Sequence, residues 1–357
     1  MGKGIKITYI GAMGKVGSRA LQSITQLEFP ANTCLKLVLM ASERKGSIER
    51  LQGFAADLHQ AFSGARKEGD LNVIVTSNYM ETQGSDLVIC SAGNWPSEKQ
   101  SSINEKSGRL VQTYVNAEMI KNIAIKLNES CPDSLLLMVT NQVDMMCHIA
   151  RKFASKMKVL GLTGGVDSAR LKDVINEEMS VYADSFMIGY HNQYMIPLLK
   201  SLTIRGKPLF PLLTQSISFK EPSTQHLFEG IEKNLLNKVT KRVIEMGKNI
   251  SDLQKTGNES HIDTGASILP AIAISEFVSA YCFDKSHIQS YNVFIDDESV
   301  ALHYGVPVNT ELSIPLQVNK LQVSFDTSFE LSKFEKEHLK LAQETLNQLN
   351  FEIIEKI

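Results

Sequence analysis

The sequence predicts an α/β protein in which a doubly wound parallel sheet is followed by a C-terminal α+β domain. Two observations support this prediction. Short apolar runs alternate with helical stretches over the first half of the chain, and the alternation stops after about residue 160. The length of 357 residues fits two domains, which we place at residues 1–160 and 161–357.

The elements of the first half are strands with near-continuous apolar side chains, which are typical of a parallel sheet covered by helices on both faces. The predicted strands are 5–10, 35–41, 71–76, 86–93 and 134–140. The predicted helices begin near Lys15 and run through 48–62 and 116–130.

The second half mixes helices and strands without this rhythm. In chain order we predict a helix over 167–179, a pair of strands at 185–192 and 202–209, helices between 224 and 283, strands between 291 and 319, and a closing helix over 327–349. Apolar residues at three- to four-residue steps predict that the closing helix packs on the core.

Composition indicates a small-molecule partner. A net charge of −2 offers no bulk attraction for nucleic acid or an anionic membrane, and no apolar leader or spanning segment is visible. Five scattered cysteines argue against a disulfide framework and a thiolate metal site, and they favour a reducing, cytoplasmic location. No cluster of histidines and carboxylates has the spacing of metal ligands.

The first functional motif is "ITYIGAMGKVGSRALQ" at residues 7–22, in which Gly11, Gly14 and Gly17 follow a strand and open a helix. Such glycines allow a tight turn, a close approach of backbone to a pyrophosphate, and close packing of helix on strand. The motif predicts a dinucleotide site that also includes Lys15 and Val16.

The end of the second strand leaves the choice of dinucleotide open. Ala41 stands where an acid would bind the ribose of NAD. Ser42 and Arg44 could bind the 2′-phosphate of NADP, which we slightly favour. Alternatively this turn is solvated, and Glu43 binds the ribose of NAD.

Three further motifs follow in order: "VTNQVDMM" at 139–146, "GVDSAR" at 165–170 and "IGYHNQYMIP" at 188–197. With the glycine turn, they resemble the lactate/malate dehydrogenase family over essentially the whole chain. The resemblance implies a Rossmann domain and a catalytic domain, NAD or NADP as cofactor, a 2-hydroxy or 2-keto acid as substrate, and a homodimer or homotetramer.

The resemblance also assigns roles. His191 would move the proton of the substrate hydroxyl, Asp167 would orient its imidazole, and Arg170 would bind the substrate carboxylate. A histidine oriented by a carboxylate suits proton transfer near neutral pH. The alternative is that Asp167 caps a helix and Arg170 is solvated.

Further residues take their roles from the same resemblance. Arg109 would polarise the substrate carbonyl. Asn141 would reach the cofactor ribose and the substrate oxygen, Ser267 would lie beside the substrate, and Ala92, Gly93 and Asn116 would belong to the cofactor site.

The loop that leads to Arg109 departs from the family pattern, because it is longer and has no earlier arginine. Lys99 or Lys106 could replace the specificity arginine of malate dehydrogenases, or Gln100 could give a lactate-like site. The region "ASERKGSIERLQGFAADLHQAF" looks closest to NADP-linked malate dehydrogenases, which favours malate and oxaloacetate. A lactate/pyruvate enzyme and a cofactor-binding pseudoenzyme remain the alternatives.

Overall fold

The structure is a computed structural model. It describes residues 4–28, 33–65, 70–94, 105–179, 183–191, 194–198, 201–204, 207–208, 238–246, 248–250, 252–253, 266–283 and 285–357. Among these residues no helix is long and apolar enough to cross a membrane. All five cysteines are free thiols.

Strands and helices alternate through the first half, as predicted. They are β1 (Ile5–Ile10), α1 (Lys15–Thr25), β2 (Cys34–Met40), α2 (Ser47–Ala65), β3 (Asp70–Thr76), a 3₁₀ turn (Tyr79–Thr82), β4 (Leu87–Cys90), α3 (Glu105–Ser130), β5 (Leu135–Met138), α4 (Val143–Phe153), β6 (Lys158–Gly161) and α5 (Gly164–Met179).

The six strands of this half form a parallel sheet in the order β3-β2-β1-β4-β5-β6. Alternate side chains of each strand enter different clusters: Ile7 and Leu37 pack in one core, whereas Ile10 and Val38 pack in another. This confirms the predicted doubly wound sheet. Its order reverses between β1 and β4, where folds of this kind bind ligands beyond the carboxyl ends of the strands.

The second half has the predicted α+β character. Its elements are β7 (Met187–Tyr190), β8 (Tyr194–Pro197), β9 (Thr203–Ile204), β10 (Lys207–Pro208), α6 (Ile268–Phe283), β11 (His287–Ile295), α7 (Glu298–Tyr304), β12 (Thr310–Asn319), β13 (Gln322–Phe325) and α8 (Lys333–Ile354). Residues 238–246, 248–250 and 252–253 are also helical.

The antiparallel strands β7, β8, β11, β12 and β13 extend the parallel sheet, whereas β9 and β10 form a separate two-stranded sheet. β11 joins β6 through the pairing of Asn292 with Gly161, and the order continues as β11-β12-β7-β8, with β13 on β12. The domain division at residue 160 stays a prediction.

One predicted strand pairing is wrong. Apart from one bridge between Asp184 and Thr203, the described residues of the strand that contains Ile188 do not pair with the segment 202–209; they pair with β8, and β9 pairs with β10. The reason is local pairing, because Tyr190 at the end of β7 faces Tyr194 at the start of β8. Gly189 permits this close approach, since a Cβ there would lie 2.3 Å from the Tyr194 carbonyl oxygen.

Two boundaries in the second half also differ from the predictions. The strand region 291–319 contains a short helix, α7, because Asp297 caps its first turn and Gly305 ends it with a φ of 71°. The closing helix begins at Lys333 rather than 327, because Ser332 and Glu335 form a capping box.

Candidate active site

The glycine turn lies at the point where the sheet order reverses. Gly11 has a φ of 93°, and a Cβ there would lie 2.5 Å from the Ala92 nitrogen after β4. A Cβ on Gly17 would lie 2.2 Å from the Gly11 carbonyl oxygen, so α1 packs directly on the turn. Both positions therefore require glycine.

The first turn of α1 is open to an anion. Gly14 is the N-cap, it provides no side-chain cap, and the first turn holds no acidic residue. Lys15 and Val16 occupy this turn and are half-buried. Backbone N–H groups at such a terminus bind phosphate well, so the residues present fit the pyrophosphate of a dinucleotide.

The residues after β2 are exposed and held in place by neighbours. The Arg44 guanidinium donates to Asn94 Oδ1 at 3.1 Å, and Ser42 contacts Ser47 Oγ through its backbone nitrogen at 3.0 Å. The Glu43 carboxylate instead lies 3.3 Å from Lys126 Nζ. The two residues that could determine the choice between NADP and NAD therefore have different partners. Arg44 contacts the segment after β4, whereas Glu43 pairs with a lysine of α3.

A chain of hydrogen bonds joins the ends of β4 and β5. The Asn94 backbone nitrogen donates to Asn116 Oδ1 at 2.9 Å, and Asn116 Nδ2 donates to the Asn141 carbonyl oxygen at 3.0 Å. Thr140 Oγ1 donates to the Ala92 carbonyl oxygen at 2.6 Å. The structure thus brings the predicted cofactor residues Ala92, Asn116 and Asn141 together, with Gly93 beside Ala92 in the chain.

The histidine and carboxylate predicted to act together are in contact. His191 Nδ1 lies 2.5 Å from Asp167 Oδ2, and Arg170 Nη1 donates to Asp167 Oδ1 at 3.3 Å. All three side chains are largely buried. Arg170 is therefore not solvated, contrary to the alternative interpretation. Its buried Nε has no hydrogen-bond partner among the described residues.

Asp144 connects the segment that carries His191 to the helix α4 that follows β5. This residue lies in the first turn of α4, three positions after Asn141, and its Oδ2 accepts from the His191 backbone nitrogen at 3.2 Å. This contact joins His191 to the first turn of α4, the helix that follows β5.

The charges around His191 favour its protonated form. Burial lowers the pKa of His191, but the carboxylates of Asp167 and Asp144 outweigh burial and the Arg170 charge, so its pKa is raised. A group of this kind can hold a proton near neutral pH and release it to a neighbouring oxygen.

From the sequence, no functional role was predicted for two residues near His191, Asp144 and Asn292. Asp144 stood inside the quoted motif at 139–146 but received no role, and Asn292 carried no sequence signal. Asn292 Nδ2 donates to Asp144 Oδ1 at 2.7 Å across 148 positions of sequence.

Other predicted residues are not joined to this centre by any described contact. Ser267 is buried just before α6, and its carbonyl oxygen accepts from the Ala271 nitrogen at 3.2 Å. Arg109 belongs to α3, but its side chain, that of Lys106, and residues Lys99 and Gln100 lie outside the described part of the structure. Within the described ranges, no group of three or more histidine, cysteine or acidic side chains could hold a metal ion.

Comparison with known proteins gives consistent findings. Residues 5–169 match the sequence model of the lactate/malate dehydrogenase NAD-binding domain. The malate dehydrogenase of Methanosarcina barkeri is 29% identical over 313 residues, which cover 85% of this chain and 87% of that protein.

Solved structures show the same fold at low identity. Malate dehydrogenase from Plasmodium falciparum in complex with NADH has a TM-score of 0.70 at 19% identity and covers 98% of this chain and 99% of its own. Lactate dehydrogenase from Eimeria maxima with NADH and oxamate has a TM-score of 0.73 at 20% identity, covering 99% and 95%.

Proposed function

We propose that this chain is a member of the lactate/malate dehydrogenase family, whose NAD-binding domain model matches residues 5–169, and that it interconverts malate and oxaloacetate with a nicotinamide dinucleotide. The observation that carries the proposal is the contact of His191 with Asp167, together with the contact that joins His191 to Asp144 of α4. The names of the relatives support malate rather than lactate as substrate.

The cofactor would lie along the carboxyl edge of the sheet. The backbone of Gly11, Gly14 and the first turn of α1 would hold its pyrophosphate, and Asn116 and Asn141 would face its nicotinamide half. When bound, the cofactor supplies or accepts the hydride at the substrate carbon that bears the oxygen.

The protein's own part in the reaction is proton transfer and orientation. His191 Nε2 gives a proton to the substrate oxygen during oxaloacetate reduction and takes it back during malate oxidation. Asp167 holds Nδ1, which keeps the ring in place and stabilises its charged form. Arg170 binds the substrate carboxylate, which would also satisfy its buried Nε. Arg109 would polarise the carbonyl.

We propose NADP as the preferred dinucleotide. Arg44 and Ser42 stand at the end of β2, where a 2′-phosphate would lie, and the guanidinium is steadied by Asn94. Glu43, the residue that could bind the ribose hydroxyls of NAD, is paired with Lys126. The family model names NAD, so NAD is the alternative.

The assembly and location are also proposals. We propose a homodimer or homotetramer located in the cytoplasm, divided into a cofactor domain over residues 1–160 and a catalytic domain over 161–357. Light scattering coupled to gel filtration measures the mass of the assembly, and a monomeric mass would contradict the proposal.

The direct test of the reaction is absorbance at 340 nm with purified protein. NADH and NADPH are each combined with oxaloacetate, pyruvate and bulkier 2-keto acids. Oxidation of NADPH by oxaloacetate is expected. Turnover with pyruvate alone would instead assign a lactate-type enzyme. Cofactor binding without turnover of any acid would indicate a pseudoenzyme.

A further inference from the structure

Both oxygens of the buried Asp144 carboxylate are engaged by donors from separate parts of the chain. Oδ2 accepts from the His191 backbone nitrogen at 3.2 Å, and Oδ1 accepts from Asn292 Nδ2 at 2.7 Å. Asp144 is 1% exposed and Asn292 is fully buried. A buried carboxylate needs such partners, because an unpaired charge in the interior is costly.

A carboxylate at position 144 matches its two neighbours as they stand. The His191 nitrogen and Asn292 Nδ2 both donate, so each carboxylate oxygen accepts one hydrogen bond. An asparagine at position 144 could keep both contacts if the Asn292 amide turned over, because Asn292 Oδ1 has no partner among the described residues. The substitution Asp144→Asn therefore removes the charge at this site while the contacts can be kept.

Asn292 is held independently of Asp144. It pairs with Gly161 where β11 joins β6, and its backbone carbonyl oxygen accepts a hydrogen bond from Arg151 Nη2 at 3.2 Å. The side chain that fixes Asp144 thus belongs to the junction between the parallel and antiparallel parts of the sheet.

We propose that Asp144 is a positioning residue for His191: its carboxylate, fixed by Asn292, anchors the His191 backbone and places a second negative charge beside the imidazole. This inference rests on the proposed function only for its effect on turnover. The geometry and the charge act on His191 whether or not the enzyme uses malate.

Among the described residues, the charged groups that act on His191 come from two helices. Asp167 and Arg170 belong to α5, and Asp144 belongs to α4. Burial and Arg170 lower the pKa of His191, whereas both carboxylates raise it. The pKa of Asp144 itself is raised, because burial and the Asp167 charge outweigh the effects of His191 and the Asn292 hydrogen bond. Removing the second carboxylate should therefore lower the pKa of His191.

The experiment is a titration of the His191 ring in the cofactor-free protein by ¹⁵N NMR, with His191→Asn used to assign the signal. Asp144→Asn should lower the pKa of His191 by about one unit, the size of effect expected for a nearby charge. The alkaline limb of the kcat/KM profile for oxaloacetate reduction should move to lower pH by the same amount.

A variant in which the residues at positions 144 and 292 are exchanged, the swapped pair, distinguishes an effect on His191 from a general loss of folding. In Asp144→Asn with Asn292→Asp, the amide introduced at position 144 can donate to the carboxylate introduced at position 292 and still accept from the His191 nitrogen. This variant should recover part of the His191 pKa, because the charge is restored at a greater distance. It should be less stable than the wild type, because the second carboxylate oxygen at position 292 takes the place of Asn292 Oδ1, which has no hydrogen-bond partner among the described residues. It also tests the proposal if Asp144→Asn alone does not fold.

The control is Ser130→Ala, which removes a buried hydroxyl pair between Ser130, at the end of α3, and Thr82; neither residue contributes to the pKa shift of His191. It should leave the pKa of His191 unchanged. An unchanged pKa of His191 in folded Asp144→Asn would overturn the proposal. If that variant does not fold, a His191 pKa in the swapped pair that is equal to or above the wild-type value would overturn it, because the displaced charge predicts a lower value. Because the NMR titration needs no turnover, it remains decisive even if the proposed function fails.

Discussion

At the residue scale, the contact of His191 with Asp167 predicts the outcome of two substitutions. His191→Asn should lower kcat/KM by about 10²- to 10⁴-fold, since a positioned acid/base contributes that much. Arg170→Ala should remove the charged partner of the substrate carboxylate and lower kcat/KM at least as strongly. Stopped-flow and steady-state kinetics measure both effects.

Cofactor affinity is the control for these two variants. Their Kd for the dinucleotide, measured by quenching of its fluorescence, should match that of the wild type, because neither residue lies in the proposed cofactor site. Near-normal kcat/KM in either variant would show that the site is assigned wrongly.

The residues after β2 predict a second outcome at this scale. Arg44→Ala should weaken NADPH binding by about tenfold or more, the value of a charge-assisted contact to phosphate, and it should hardly change NADH binding. Glu43→Gln is the matched control. Under the NADP proposal it leaves both affinities unchanged, whereas weaker NADH binding in this variant would favour Glu43 as the ribose ligand.

At the element scale, the packing of α1 on the glycine turn predicts the effect of one added methyl group. In Gly17→Ala the new Cβ would lie 2.2 Å from the Gly11 carbonyl oxygen, so the helix must move. Overpacking of this kind costs about 1–3 kcal/mol of stability, and the displaced turn should also lose dinucleotide affinity. Urea denaturation and fluorescence titration measure the two effects.

The chain provides a matched glycine for this test. Gly53 lies within α2, and nothing lies within 4 Å of a Cβ built there. Gly53→Ala should stabilise the protein by about 0.5–1 kcal/mol, because alanine is the better helix former. Equal effects of the two substitutions would contradict the role given to Gly17.

At the scale of the whole molecule, a buried ion pair joins β12 of the second half to α4 of the first. Glu311 contacts Arg151 at 3.2 Å and His148 at 3.1 Å. Burial opposes ionisation of Glu311, but Arg151 and His148 outweigh it, so its pKa is lowered. The ionised Glu311 carboxylate therefore stabilises the fold at pH values above the pKa that Glu311 has in the unfolded chain. This stabilisation is lost as the pH falls through the lower pKa that Glu311 has in the folded protein.

Glu311→Gln should accordingly lower the free energy of unfolding by about 3–5 kcal/mol near neutral pH, since it leaves Arg151 buried without its counter-charge. The difference from wild type should narrow on acidification. Urea denaturation across a pH series measures this. Glu337→Gln, which breaks an exposed pair with Lys333, should change stability by less than about 0.5 kcal/mol. A constant difference at all pH values would refute the titration argument.

Most of the parallel-sheet half could be predicted from the sequence, because apolar runs, periodicity and the glycine turn are properties of neighbouring residues. The motifs that carry Asp167, Arg170 and His191 are likewise short segments of neighbouring residues, so they could be recognised in the sequence. The α4 helix and β6 were not predicted, although "VDMMCHIARKF" and "KVLG" are consecutive segments. The paired strands after residue 185 were misassigned, since several short apolar segments could pair with β7.

The sequence by itself therefore determined the fold class and the glycine turn, and the resemblance of its motifs to a known family predicted the histidine, carboxylate and arginine of the candidate site. Only the tertiary structure decided which distant groups contact the candidate residues. Asn292 binds Asp144 next to His191, Asn94 accepts a hydrogen bond from Arg44, and Lys126 pairs with Glu43. The physical reason is distance along the chain. These contacts join residues 47 to 148 positions apart, and local preference says nothing about which donor will meet which acceptor when distant elements pack.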